Sequence, residues 1–180
     1  MHFRSEPLRT EPLQPASVQR GFTLVELVVV ILVLGILAAT ALPRFINVSR
    51  EARVATLESI AATMRTTISM VQAKARLAGL EKVTTNPGPG QSGYLIESEL
   101  GVSELDFRNL CPEASAELGD ALDMVDYMTV TTTDEVTIIT DNQYTRIGFN
   151  VTNDLVSGCY VLYDSFGAID CTVEVIAVDC

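Results

Sequence analysis

The sequence predicts an α+β fold: a long N-terminal helix, membrane-spanning and then amphipathic, packed along its distal half on a small antiparallel β-sheet head. Three observations predict it. Residues 22–42 form an apolar run with a single charge, Glu26. Apolar residues then recur at steps of three and four as far as Ala78. Beyond Met128 the chain breaks into short β-branched runs separated by turn residues.

The first element follows from length. At ~1.5 Å per residue the apolar run reaches about 30 Å, the thickness of a hydrocarbon core. A secretory signal is shorter and stops at a small-residue cleavage site, so this run reads as a membrane helix. Its orientation is tied by charge counting, with Arg4, Arg9 and Arg20 before it and Arg44, Arg50 and Arg53 after it. The cysteines break the tie. Cys111, Cys159, Cys171 and Cys180 all lie beyond the run, lack C-x-x-C spacing, and have no histidine near them because the sole one is His2. Disulfides are therefore expected rather than a zinc site, and disulfides need an oxidising compartment. The N-terminus is expected in the cytoplasm and the distal half outside.

The second element continues the first. Leu57, Ile60, Ala61, Met64, Ile68, Val71, Ala75 and Ala78 mark one apolar stripe, with Arg50, Arg53, Glu58, Arg65 and Lys74 largely off it. Gly79 is the expected stop, and Thr84–Gly93 reads as loop. A helix from Phe22 to Ala78 would be roughly 85 Å long, too long to fit within one small globule. Gly35 is a weak helix former, and Pro43 removes a backbone donor and crowds the preceding turn. The Gly35–Pro43 segment is thus the place where this helix is expected to kink or open.

The head carries most of the charge. The chain is −11 overall, yet residues 83–180 hold seventeen acids and two bases, while residues 44–82 hold seven bases and three acids. So acidic a head is a poor ligand for phosphate, and no nucleic-acid partner is expected. Tyr94–Leu110 reads as mixed with a short helix, and Cys111–Val125 as acidic loop with a helical turn. Strands are expected at Met128–Thr132, Val136–Thr140, Thr145–Val151, Cys159–Tyr163 and Thr172–Val178. Four cysteines allow three pairings. A terminal hairpin facing Cys159 with Cys180, which leaves Cys111 for Cys171, is the preferred one.

Chemistry finds little support. No histidine follows residue 2, and the nucleophile-elbow, zinc-protease and phosphate-loop motifs are missing from the sequence. No enzyme activity, cofactor or metal is expected. Asp134, Glu135 and Asp141 flank turns and would suit a hard cation, but solvated turn acids are commoner. Tyr127, Tyr144, Tyr160 and Tyr163 are expected in core packing rather than in a binding cluster.

One feature is specific. The stretch "GFTLVELVVVILVLGILAATALP" resembles the N-terminal signature of type IV pilins and of the related pseudopilins of type II secretion: glycine, phenylalanine, a carboxylate four residues on, then an apolar helix with Gly and Pro. The stretch after it is similar to pilins of the mannose-sensitive haemagglutinin type. The resemblance implies a pilin fold with a leader at 1–21, a transmembrane and filament-core helix at 22–43, an amphipathic helix at 44–82 and a disulfide-bearing head at 83–180. It implies cleavage between Gly21 and Phe22 by a prepilin peptidase and N-methylation of Phe22. It also implies extraction from membrane lipid by inner-membrane assembly machinery into a helical homopolymer, with Gly35 and Pro43 bounding a segment that unwinds in the filament. Glu26, buried among apolar helices, would meet the new ammonium of a neighbouring subunit and set axial register, because a mismatched charge would stay buried and unpaired. The implied function is that of a major or abundant pilus subunit for surface attachment and biofilm formation. Alternatives are a pseudopilin or minor pilin, or a single-pass membrane binding protein that never polymerises. Four cysteines and the lack of a D-x-[DN]-x-[DN]-G run favour the pilus over the pseudopilin.

Overall fold

The computed structural model describes residues 22–88, 91, 93–130, 132, 135–167 and 169–180, with the side chains of 42–47 left aside. The leader Met1–Gly21, the Pro43 side chain and Asp134 therefore lie outside the described residues. The chain divides into two compact units, Met1–Arg44 and Phe45–Cys180.

In chain order the elements are α1 (Leu24–Leu77), β1 (Leu95–Glu97), β2 (Val102–Glu104), a 3-10 turn at Val125–Tyr127, β3 (Thr137–Thr140), β4 (Tyr144–Asn150), β5 (Cys159–Asp164) and β6 (Thr172–Ala177). Both Gly35 and Pro43 lie inside α1. The end of α1 shows why the helix stops where it does. Gly79 takes a φ of 79°, its N–H donates to Arg76 O, and Leu80 N–H donates to Ala75 O. These are the two bonds of a Schellman cap, and the left-handed residue they require is cheapest as glycine. Ala78 sits past the end and is exposed, so the buried stripe closes at Ala75.

That stripe serves two cores in turn. Leu57, Ile60, Ala61, Met64 and Ile68 pack with Ile147, Cys159, Val161 and Tyr163 of the large sheet. One turn further on, Val71 and Ala75 pack with Tyr94, Ile96, Leu105, Phe107 and Leu110. The large sheet is an antiparallel meander in the order β3-β4-β5-β6. Ile147 opposes Val161, which opposes Val175, so one face of three strands is apolar in register. Gly148 sits where the β4–β5 register shifts, and a side chain there would come within 2.2 Å of the Cys159 carbonyl. The outer edge of β6 is covered by cations of α1: Arg65 Nη2 donates to Val173 O at 3.0 Å and Arg50 Nη2 to Ala177 O at 3.4 Å. A covered edge is protected from pairing with another chain.

Two expectations are corrected. No strand forms among the described residues of Met128–Thr132. Met128 N–H instead closes the 3-10 turn on Val125 O, and Val130 packs against the core without a ladder partner. Tyr94–Leu110 holds no helix but a small hairpin, in which Leu95, Ile96 and Glu97 oppose Glu104, Ser103 and Val102. Ser98 and Gly101 exchange both backbone bonds around Glu99-Leu100, and Gly101 has a φ of 144°.

Candidate functional site

The site implied by the sequence begins at Phe22. Thr23 precedes the first helical residue and Glu26 stands three residues on, the spacing of a capping box. The geometry is reciprocal. Thr23 N–H and Oγ1–H both donate to Glu26 Oε2 at 3.0 Å, and Glu26 N–H donates to Thr23 Oγ1 at 3.2 Å. Two of the N–H groups that a helix start leaves unpaired are satisfied in this way, and a negative charge sits at the positive end of the helix dipole. Both side-chain bonds fall on one oxygen; among the described residues Oε1 accepts none. Thr23 had no role in the sequence reading, although T-x-x-E before an apolar run is the signal that reveals it.

From Leu24 to Ala41 the helix is long and apolar enough to cross a membrane, with a mean hydropathy of 2.8 and none of the window buried within the chain. The large apolar side chains from Leu24 to Leu37 are left exposed by the described residues. Gly35 has open space around it, so no close contact explains its lack of a side chain.

In the second unit the cysteines join as Cys111–Cys171 and Cys159–Cys180. The first pair ties the loop after the small hairpin to the β5–β6 connection, a separation of 60 residues. The second closes the C-terminus onto the start of β5 across 21 residues. Gln72 of α1 reaches the first disulfide, donating to Asn109 O at 3.1 Å and to Asp170 Oδ1 at 2.6 Å. Cys111, Asp170 and Cys171 place potential metal ligands close together, but both sulfurs are committed to the disulfide.

Asp141 is engaged by its own turn. Its Oδ1 accepts from Gln143 and Tyr144 N–H, and its Oδ2 pairs with Arg146 at 2.8 Å. Partial burial pushes its pKa up, but the Tyr144 N–H and Arg146 outweigh that and hold it below the usual carboxylate range. The four tyrosines do not gather. Tyr160 and Tyr163 are fully buried, with hydroxyls donating to Asp154 O and Pro112 O respectively. Among the described residues, Tyr94 pairs with Phe107, edge to face at 6.3 Å. Burial, with Glu113 and Asp106 nearby, keeps the Tyr163 hydroxyl far from ionising.

Sequence reasoning also missed a set of buried acids. Glu104, Asp106 and Glu113 are shut from solvent around the small hairpin. Nothing in their spacing marks them, because the fold rather than the sequence brings them inside.

Residues 16–42 match the prokaryotic N-terminal methylation motif. The chain is 40% identical over 75 residues to the type IV narrow pilus major component PilA5 of Thermus thermophilus, covering 41% of this chain and 64% of that protein. It is 40% identical over 63 residues to the type IV major fimbrial protein FimA of Dichelobacter nodosus, covering 35% and 40%. A fimbrial protein of Moraxella nonliquefaciens is 43% identical over 53 residues, covering 29% and 34%. The chain thus spans less than two thirds of the length of each of these relatives. No solved structure is significantly similar to it. The N-terminal part of the chain thus carries the methylation motif across the start of α1, with an apolar helix behind it, and is similar there to type IV pilus components.

Proposed function

We propose that the chain is a structural subunit, major or abundant, of a type IV pilus that serves surface attachment and biofilm formation. The observation that carries this reading is the uncovered apolar surface of Leu24–Ala41 directly behind a methylation motif. Such a surface needs an apolar surround, and lipid first and identical helices later both supply one.

Prepilin peptidase cuts between Gly21 and Phe22 and methylates the new amine of Phe22. Before assembly the helix is held in the inner membrane with its N-terminus in the cytoplasm, and assembly machinery then moves the subunit into an extracellular helical homopolymer. Within the filament Glu26 keeps Oε2 on Thr23 and offers Oε1 to the ammonium of a neighbouring Phe22. One carboxylate thereby holds the helix start and sets register between subunits. The Gly35–Pro43 segment unwinds on assembly, since Gly35 has no side-chain contacts to lose and Pro43 has no N–H to give.

Filaments sheared from the cell surface test the reading. This chain should be their dominant protein, and deletion of its gene should leave cells bare of them. Presence only as a trace component would move the chain to a minor pilin, and absence from filaments would overturn the proposal.

A further inference from the structure

The buried acids of the head have a chemistry that filament assembly does not use. Each must be accounted for by its partners, since an ion cut off from water is costly unless paired. Asp106 has a cation: Arg108 Nη2 stands 2.9 Å from Oδ2, and the Arg108 N–H donates to Oδ1 at 2.7 Å. Glu104 has two backbone donors, Glu117 N–H at 2.6 Å and Leu118 N–H at 3.0 Å, both on Oε2. Glu113 has neither. It is 1% exposed, its Oε1 accepts one neutral amide N–H from Gln91 at 3.2 Å, and its Oε2 has no partner among the described residues.

Among the described residues, none around Glu113 offers it a cation. Asp106 from the turn after β2, Glu104 from β2 and Glu117 from its own loop all act on it as negative charges. β5 contributes the buried hydroxyl of Tyr163, and α1 turns apolar side chains and the neutral Gln72 towards this core. Arg108 is committed to Asp106 and stacks on Phe166 at 4.1 Å. A fully ionised Glu113 would be a third buried charge of one sign. The proton is the counter-charge that this geometry leaves room for.

The backbone of Glu113 links that proton to the fold. Its N–H donates to Glu104 O at 3.1 Å and its carbonyl accepts from Met124 N–H at 2.9 Å, while Leu105 bridges to Pro112 beside it. The residue thus fastens the start of the 112–124 loop to β2 and ties Met124 to that start, while Leu122 N–H donates to Val102 O at 2.7 Å and accepts at its carbonyl from Glu104 N–H at 3.3 Å.

We propose that the Glu113 carboxyl is a proton latch: with its proton it holds the 112–124 loop against β2, and loss of the proton releases that loop. The surface affected carries Glu117, Gly119 and Asp120, all exposed, so the latch controls an outer face of the head. The inference does not rest on the filament reading and would hold in a pilin of any role.

The direction in pH follows from linkage. Burial first, then the charge of Asp106, raises the Glu113 carboxyl to about 8 in the folded head, against an ordinary 4.5 once the loop is open. A raised acid favours the closed state fully below the open-state value. That preference is lost as pH climbs towards the folded value and is flat above it.

The test uses the full chain in detergent micelles. The carboxyl carbon resonance of Glu113, assigned in the wild type through its backbone connectivity, should titrate near the raised value; titration in the ordinary carboxylate range overturns the latch. Amide exchange at Met124, corrected for intrinsic pH dependence, should accelerate by up to about tenfold per pH unit between the two values, and not above them. Glu113→Gln should make that rate independent of pH, and an unchanged pH dependence in this variant overturns the latch. The wild-type titration decides the matter even if the variant fails to fold. Adding calcium at alkaline pH should change nothing. Recovery of protection by calcium would make these acids a cation site and overturn the proton reading.

Discussion

The two units of this chain handle apolar surface in opposite ways. In the first, Leu32 is 60% exposed and its neighbours from Leu24 to Leu37 are similarly bare. In the second, Leu57 is 0% exposed and closes a core with sheet residues and two cysteines. The same residue type on the same helix is left open in one place and sealed in the other. The polar groups differ likewise. Glu26 shares its bonds with a residue three positions away, whereas Gln72 and Tyr163 bond across 37 and 51 residues. Within the first unit the bonds of Glu26 are local and the apolar side chains stay bare, while the second unit seals its apolar side chains in cores of its own. On the proposed reading, lipid and then copies of the chain supply the burial that the described residues do not give Leu24–Leu37.

Substitutions should separate the two units cleanly. The largest effect is expected from Glu26→Ala: processing at Gly21–Phe22 stays intact, surface filaments disappear under the electron microscope, and head stability does not change. Normal piliation in this variant would remove the register role. Next come the disulfides, read by urea unfolding of the head signal in micelles. Replacing Cys111 and Cys171 by Ser should cost about 4 kcal/mol, and replacing Cys159 and Cys180 about 3 kcal/mol, because the first pair closes the longer loop. Leu57→Ala should cost about 3 kcal/mol in the same assay, while Leu32→Ala leaves it unmoved. Equal effects of the two leucine substitutions would collapse the contrast. The smallest is Tyr163→Phe, which loses the bond to Pro112 O and leaves that carbonyl buried, for about 1 kcal/mol.

Much of this was legible in the sequence, and the reasons are specific. The stripe from Leu57 to Ala75 is periodic over five turns, and a pattern of that length has few competing readings. Runs such as Thr145–Val151 and Thr172–Val178 are β-branched and bounded by turn residues, so the meander showed through to within a residue or two at each end. The small hairpin did not, because strands of three residues such as Leu95–Glu97 carry too few alternations to establish a period of two. Met128–Val130 shows the converse: local propensity favours a strand, but Val125 and the core claim those residues first. The capping partner Thr23 was readable and lies in a known motif. The burial of Glu113 was not, since it depends on Gln91, Glu104 and Met124 meeting in space. Local chemistry can be read along the chain, but the environment of a buried acid cannot.

On the proposed reading this chain, freed of its leader, buries its bare helix among copies of itself. Intact-mass and N-terminal mass spectrometry of purified surface filaments test it most directly. The expected result is one dominant species that begins at N-methylated Phe22 and carries both disulfides closed. A chain found only in membranes and still beginning at Met1 would contradict it.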